Sequence, residues 1–441
     1  MTSQVPRQTV LATVIALTAM MLAAGSARSS SGLGASGEPP TADRYIVVLK
    51  DTTADPAAVA AQHTQGYGAR IERIYASALK GYAATIPTAR IAALERDSRV
   101  EFVSPDGQAT VQEDVLATGV SRIKAAAKQN QATGVNVAVI DTGIDLGHPD
   151  LAANIAGGRN CVGNDRTEYD DGHGHGTHVA GIVAALDNNM GVVGVAPQAK
   201  LWAVRVLNEK GSGTWSDVLC GINFVDANSP ARGGRISVAN MSLGGSGTDD
   251  GACGRVNHDA LHKAICKAVA DGVTFVVAAG NSRGDLAEFV PAAYDETIAV
   301  AALADSDGQP CGLGASTSYG YDDTFASFSN YGTVDQNHLL AAPGVSIYST
   351  YKGGAYATFS GTSMASPHVA GAAALYLSAH PGTSPTAVYG ALKVLGEPAG
   401  TNVNGECAPV VTSRKGETNA SVSHTDPSLK HPESVLRADT L

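Results

Sequence analysis

The stretch Val135-Asn-Val-Ala-Val-Ile-Asp-Thr-Gly143 is a short apolar run that ends in a carboxylate and a turn. Its length and β-branched residues predict a buried strand, with Asp141 at the carboxyl edge. Similar runs recur at 201–206, 236–241, 274–279 and 298–302. Helical stretches are expected at 177–186, 216–228, 257–270, 364–378 and 384–395. Continuous apolar strands separated by helices predict an α/β domain, a parallel sheet covered by helices on both faces. Ligands of such sheets bind beyond the carboxyl ends of the strands. Asp141, Ser242 and Asn281 all follow strand ends and so converge on that edge.

Two glycine-rich stretches bring chemistry to the same edge. Gly361-Thr-Ser-Met-Ala-Ser-Pro-His-Val-Ala-Gly371 presents Ser363 at the start of an Ala-rich helix. Unpaired backbone N–H groups and the positive end of the macrodipole suit an alcohol that attacks a carbonyl there. A serine at a helix start is usually an N-cap, so the sharper reading needs a base and an acid. Asp171-Gly-His-Gly-His-Gly-Thr-His-Val-Ala-Gly181 supplies His173, His175 and His178, and Asp141 supplies the carboxylate. The three histidines lack a cysteine or carboxylate at zinc spacing. His178 and His368 fit structural roles, His173 a surface loop, and Asp145 a turn.

The order Asp141, His175, Ser363 resembles that of the subtilisin-like serine proteases, the subtilases. All three motif cores match: Asp-Thr-Gly-Ile-Asp, His-Gly-Thr-His-Val-Ala-Gly and Gly-Thr-Ser-Met-Ala-Ser-Pro-His. The resemblance implies a serine endopeptidase in which Ser363 is the nucleophile, His175 the base and Asp141 the orienting acid. It makes Asn281, in Ala278-Ala-Gly-Asn281, an oxyanion donor. It also implies that Gly211, Ser212 and Gly213 on one side, and Ser242, Leu243 and Gly244 on the other, sandwich an extended peptide. Ala278 and Gly280 would wall the pocket before the scissile bond, where a broad apolar preference is expected. A calcium ion is implied at Asp150 and Asn188, with the backbone of Leu186, Met190 and Val192. Gln112, Gln129 and Gln131 are candidates for a further ligand, and no organic cofactor is expected. A catalytically inactive peptide-binding relative is the alternative reading, though no triad position is lost.

Upstream, residues 1–27 read as a secretion signal: Arg7, an apolar core at 10–24 and the small residues Gly25-Ser26-Ala27. That core is short for a membrane span. Residues 28–43 read as a linker, 44–106 as a β-α-β-β-α-β ferredoxin-like domain, 107–116 as a processing region and 117–441 as the catalytic domain. The resemblance makes residues 44–106 an inhibitory propeptide that occupies the cleft. The net charge of −11 argues against nucleic acid as a partner. Protein and peptide substrates, secretion and a monomer are expected. Six cysteines in an exported chain imply disulfides, and proximity favours sequential pairing.

Overall fold

The computed structural model describes residues 44–111, 114–115, 119–125, 130–310, 312–332, 338–397, 434–438 and 441. Residues 1–43, read above as signal and linker, lie outside them. Among the described residues no helix is long and apolar enough to cross a membrane.

The chain opens with β1 (Arg44–Leu49), α1 (Pro56–Tyr67), β2 (Arg70–Tyr75), β3 (Gly81–Thr85), α2 (Ile91–Leu94) and β4 (Val100–Pro105). The strands form an antiparallel sheet in the order β2-β3-β1-β4, the expected ferredoxin-like arrangement. Asp55 starts α1 by accepting the N–H groups of Ala57 and Ala58, with Pro56 in the first turn. The helix expected over 88–97 is shorter, a 3₁₀ turn at Thr88–Arg90 followed by one α turn. The Asp97 carboxylate accepts both the backbone N–H and the guanidinium of Arg99, which turns the chain out of the helix. One sheet face packs Val47 and Leu49 on Val59 and Leu94 of its own helices. The other presents Ile46, Val48, Tyr75, Leu79 and Phe102 to the core of the larger domain.

Two short strands follow, β5 (Gln108–Val111) and β6 (Asp114–Val115). The larger domain then runs β7 (Asn136–Asp141), β8 (Ile155–Asn160), α3 (His175–Ala184), β9 (Lys200–Arg205), β10 (Ser212–Thr214) and α4 (Trp215–Ala227). Next come β11 (Ile236–Met241), β12 (Leu243–Ser246), α5 (Ala260–Ala270), β13 (Thr274–Ala278), β14 (Phe289–Val290), β15 (Ile298–Ala304) and β16 (Thr324–Phe325). It closes with β17 (Leu339–Pro343), β18 (Ile347–Tyr351), β19 (Ala355–Ser360), α6 (Thr362–Ala379), α7 (Pro385–Leu395) and β20 (Ser434–Val435).

The central sheet has the order β20-β17-β15-β13-β11-β7-β9-β8, parallel throughout, with β16 added antiparallel to β15. Period-two alternation divides its side chains. Val137 and Val139 join the cluster of α3 and α6, while Ala138 and Ile140 join that of α4 and α5. This is the doubly covered parallel sheet expected. Helix α5 begins at Ala260 rather than at 257. The Asp250 carboxylate holds the N–H groups of Val256 and Asn257 in a loop, and Asp259 caps the helix through Leu261 and His262.

The returning C-terminal segment is a strand: β20 pairs with β17, Ser434 opposite Leu340. Beyond it the Ala438 N–H donates to the carbonyl of Ile123 at 2.8 Å. Beside this junction the fully buried Arg122 donates to Asp323 at 2.8 Å and to Glu397 at 2.9 Å. The disulfides Cys161–Cys220 and Cys253–Cys266 follow sequential pairing; Cys311 and Cys407 lie outside the described residues.

Candidate active site

Asp141 ends β7 as a fully buried carboxylate. Its Oδ1 accepts the Thr142 N–H at 2.7 Å and faces His175 Nδ1 at 2.8 Å. A carboxylate only accepts, so Nδ1 carries the proton and Nε2 is the basic nitrogen. His175 is the first residue of α3, and the loop before it is held by Asp171, a residue that sequence reasoning quoted without a role. Asp171 Oδ1 accepts the N–H groups of His173 and Gly174 and the Thr142 hydroxyl, and Oδ2 accepts the N–H and hydroxyl of Thr177. One carboxylate therefore satisfies the orphan donors of the helix start and ties it to the Asp141 strand.

The neighbouring histidines differ from one another. His178 is fully buried with Nε2 at the carbonyls of Ile347 and Ala357, and burial pushes it down to about 3. His368 is pushed down by burial to about 4, with Nδ1 against the Met364 carbonyl. Both stay neutral, as structural residues. His173 is not simply a surface residue: its half-buried ring lies edge-on to His175, centroids 6.4 Å apart. Asp145 caps turns, accepting the N–H groups of Gly147 and Gly354.

Ser363 enters α6 behind Gly361, whose φ of 155° lies where side-chain-bearing residues are rarely found. Pro367 lacks the N–H that would bond the Ser363 carbonyl four residues back. The Ser242 hydroxyl supplies that bond instead, at 2.8 Å, and the Ser363 hydroxyl donates to the Ser242 carbonyl at 3.2 Å. Behind them Asn240 Nδ2 donates to Ser242 Oγ, and the Ser366 hydroxyl donates to Asn240 Oδ1. The nucleophile candidate is thus locked to the end of β11. Asn281 Oδ1 accepts the N–H and the hydroxyl of Thr362, each at 2.9 Å, leaving Nδ2 as the end of the amide available to a ligand.

A peptide already occupies the cleft. Strand β5 runs antiparallel between β10 and β12, with Thr110 opposite both Ser212 and Gly244, Ala109 opposite Gly213 and Val111 opposite Leu243. Its lead-in is fixed where the Trp215 N–H donates to the Gly107 carbonyl at 2.9 Å. Strand β6 then pairs with β19, Asp114 opposite Ser360. Residues 212–214 and 243–244 thereby act as backbone edges for strand addition, with Gly211 and Ser242 just outside the paired registers. A Cβ on Gly213 would lie 2.2 Å from the Val206 carbonyl oxygen, so close backbone packing excludes a side chain. Ala278 is buried at the end of β13. Gly280 adopts φ +101°, and a Cβ there would meet Asn330 Nδ2 at 2.5 Å and the Phe289 ring at 3.0 Å. The same ring lies 2.5 Å from a Cβ placed on Gly244. Phe289 therefore lies against both Gly280, a proposed pocket wall, and Gly244 of the backbone edge. Nothing local in the sequence signals this, because the contacts come from separate strands.

At the calcium position, Asp150 is fully buried. It accepts the Asn188 amide at 2.9 Å, the Val192 N–H at 3.0 Å and the Tyr356 hydroxyl at 3.2 Å. Among the described residues, no donor reaches the carbonyls of Leu186, Met190 or Val192. A buried carboxylate beside three open carbonyls fits a hard cation, once the Asn188 amide turns its oxygen inward. Gln131 accepts the backbone N–H of Gln198 on its carbonyl and the Gln198 side-chain amide on its Oε1. Gln112 and Gln129 lie outside the described residues. Acidic clusters able to hold a metal also occur elsewhere, at Asp305, Asp307 and Asp322 and at Asp249, Asp250 and His262.

Comparison with known proteins agrees with this geometry. The subtilase family model matches residues 132–395, and the peptidase inhibitor I9 model matches residues 44–112. Subtilisin E of Bacillus subtilis (strain 168) is 39% identical over 372 residues, 83% of this chain and 88% of that protein. A subtilisin of Bacillus pumilus is 44% identical over 269 residues, 60% of this chain and 85% of its own. The crystal structure of a cold adapted subtilisin-like serine proteinase superposes with a TM-score of 0.53 at 31% identity, covering 73% of this chain and 98% of that one. The chain belongs to the subtilase family. It is a serine endopeptidase made as a zymogen that carries its own inhibitory propeptide, and its partners are protein substrates and that propeptide.

Proposed function

We propose that Ser363 is the nucleophile of this endopeptidase, with His175 as its base and Asp141 as the carboxylate that orients the histidine. The observation that supports this most is the strand β5, a stretch of peptide backbone paired on both sides just ahead of the Ser363 turn. His175 Nε2 takes the Ser363 Oγ proton as Oγ attacks the scissile carbonyl. The oxyanion accepts hydrogen bonds from the Ser363 N–H and from Asn281 Nδ2. The imidazolium, stabilised by Asp141, then gives its proton to the leaving amine as the C–N bond breaks. Water attacks the acyl-enzyme, with His175 as base again, and releases the acid. Segments 211–213 and 242–244 bind the peptide backbone, so sequence choice is broad. The walls of Ala278, Gly280 and Leu243 are apolar, which favours apolar side chains before the scissile bond.

The maturation bond lies between β5 and β6, after Val111 and before Asp114, within the processing region 107–116. Residues 44–106 are then the folded propeptide domain, 107–116 the processing region that contains the cut, and 117–441 the catalytic domain, exported behind the leader-like segment 1–27. Calcium is held by Asp150, Asn188 and the carbonyls of Leu186, Met190 and Val192. It supplies fixed positive charge that joins the loop to the Asp150 segment, and no step of catalysis passes through it.

A serine-directed phosphonate should label the processed protein once, on Ser363. Ser363→Ala should accumulate uncut precursor when expressed without other proteases. Absence of the adduct, or a mature N-terminus in that variant, overturns the assignment and restores the peptide-binding alternative.

A further inference from the structure

Away from the cleft, a cavity of about 290 Å³ lies where propeptide residues 73–77 meet the catalytic domain. Arg73 from the propeptide and Arg159 and Arg166 from the catalytic domain line it, and no carboxylate does. Arg73 is 11% exposed. Its Nη2 donates to the Asp217 carboxylate and the Cys161 carbonyl, while Nη1 is buried without a hydrogen-bond partner among the described residues. Arg159 makes no ion pair among the described residues, and Arg166 reaches only Cys220 Sγ, at 3.9 Å. Burial, then the charges of Arg73 and Arg159, pull Arg166 below the ordinary arginine value. Of the three guanidinium groups only Arg73 pairs with Asp217, which Arg166 also feels and which Thr214 engages through its N–H and hydroxyl. An unbalanced cluster of planar, multidentate donors around a cavity is the chemistry that takes an anion.

We propose that this cavity binds a tetrahedral oxyanion, inorganic phosphate or sulfate, and that the bound anion holds the cleaved propeptide on the protease. The holding step rests on the processing proposed above; the binding step does not. Arg73 leaves with the propeptide, so the complete site exists only in the complex. A ligand confined to the complex strengthens it by mass action, about elevenfold at ten times the anion's dissociation constant. Propeptide release, and with it the onset of activity, slows by the same factor where dissociation is limiting.

Binding is read by titrating the full-length Ser363→Ala chain with sodium sulfate or sodium phosphate against chloride at equal ionic strength. One site is expected, and it should be lost in Arg159→Gln/Arg166→Gln. These residues lie outside the peptide cleft, and the Asp217 contact of Arg73 is left intact. Holding is read from the lag before the full wild-type chain hydrolyses a peptide. Both anions should lengthen the lag about elevenfold at ten times the dissociation constant found in the titration, and the double variant should lose the delay while its mature form keeps normal turnover. Sulfate distinguishes this from withdrawal of calcium by phosphate. Absence of binding overturns the site. Binding without delay, or a delay that persists in the double variant, overturns the holding role. Should Ser363 prove not to be the nucleophile, the titration still decides the site.

Discussion

At Arg122 a fully buried guanidinium lies against two carboxylates, Asp323 and Glu397; at Asp141 a fully buried carboxylate lies against an imidazole. Burial alone would lower Arg122, but the facing carboxylates overcome it and raise the group, so its charge is permanent. Asp141 instead fixes which nitrogen of His175 carries the proton, Nδ1, and leaves Nε2 as the acceptor. Both networks join distant segments across the sheet. One is a lock that holds a permanent cation between two carboxylates, of which burial pushes Asp323 up to about 6, whereas the other sets the position of a proton on an imidazole, and substitutions should separate the two.

Arg122→Met should break the lock, because it leaves Asp323 buried without its cation and Glu397 with only the longer contact to Arg437, at 3.8 Å. Removing one member of such a group costs about 3–5 kcal/mol, read as a fall in the denaturation midpoint of the Ser363→Ala background. Peptide turnover per folded molecule should be unchanged in the active form, and a fall in turnover without lost stability would contradict the division. Asn281→Ala should act chiefly on turnover. It should lower kcat about 10²–10³-fold, some 2.7–4 kcal/mol, with little change in KM, while the Thr362 donors it leaves unpaired cost about 1–3 kcal/mol of stability. An effect confined to KM would instead assign Asn281 to substrate binding.

Smaller effects sharpen the comparison. Calcium bound only to the folded state should stabilise it by about 2.7 kcal/mol at a hundredfold excess over its dissociation constant. Chelation should therefore lower the melting temperature and speed autolysis, and Asp150→Ala should blunt the difference. A melting curve unchanged by exhaustive chelation removes the site. His178 and His368 form the mildest test. Their folded values, about 3 and about 4, lie below the ordinary value of 6.5, so the unfolded chain takes up protons first as pH falls. Their stabilisation is whole above pH 6.5 and declines as pH falls toward 4 and then 3, by about 1.4 kcal/mol per unit for each histidine. His178→Gln should flatten the acid limb of a stability–pH profile; an unaltered slope counts against a buried neutral imidazole.

Much of the site was legible because its chemistry demands residue identity. Asp141, His175, Ser363 and Asn281 each stand at the end of an element whose pattern is local, a strand edge or a helix start. The backbone edges at 211–213 and 242–244 were legible for the related reason that strand addition requires small residues. The lock was not legible, since Arg122 meets partners 201 and 275 positions away in regions of unremarkable composition. Strand β8 was missed because Ile155-Ala-Gly-Gly-Arg-Asn160 lacks an apolar run, and its place at the sheet edge does not require one. The start of α5 depended on a carboxylate up to seven residues upstream, and the packing of Phe289 on contacts between separate strands. Long-range pairing was what local periodicity could not carry.

Strand β20 and the bond from Ala438 to Ile123 have a consequence for the order of events during biosynthesis. The edge strand of the central sheet is supplied by residues synthesised after every other strand of that sheet. The sheet cannot gain that edge, nor Ile123 its bond from Ala438, until residues 434–438 have been made. Strands β1–β4 are synthesised hundreds of residues earlier. The small antiparallel sheet can therefore form long before the parallel sheet it packs against acquires its final edge.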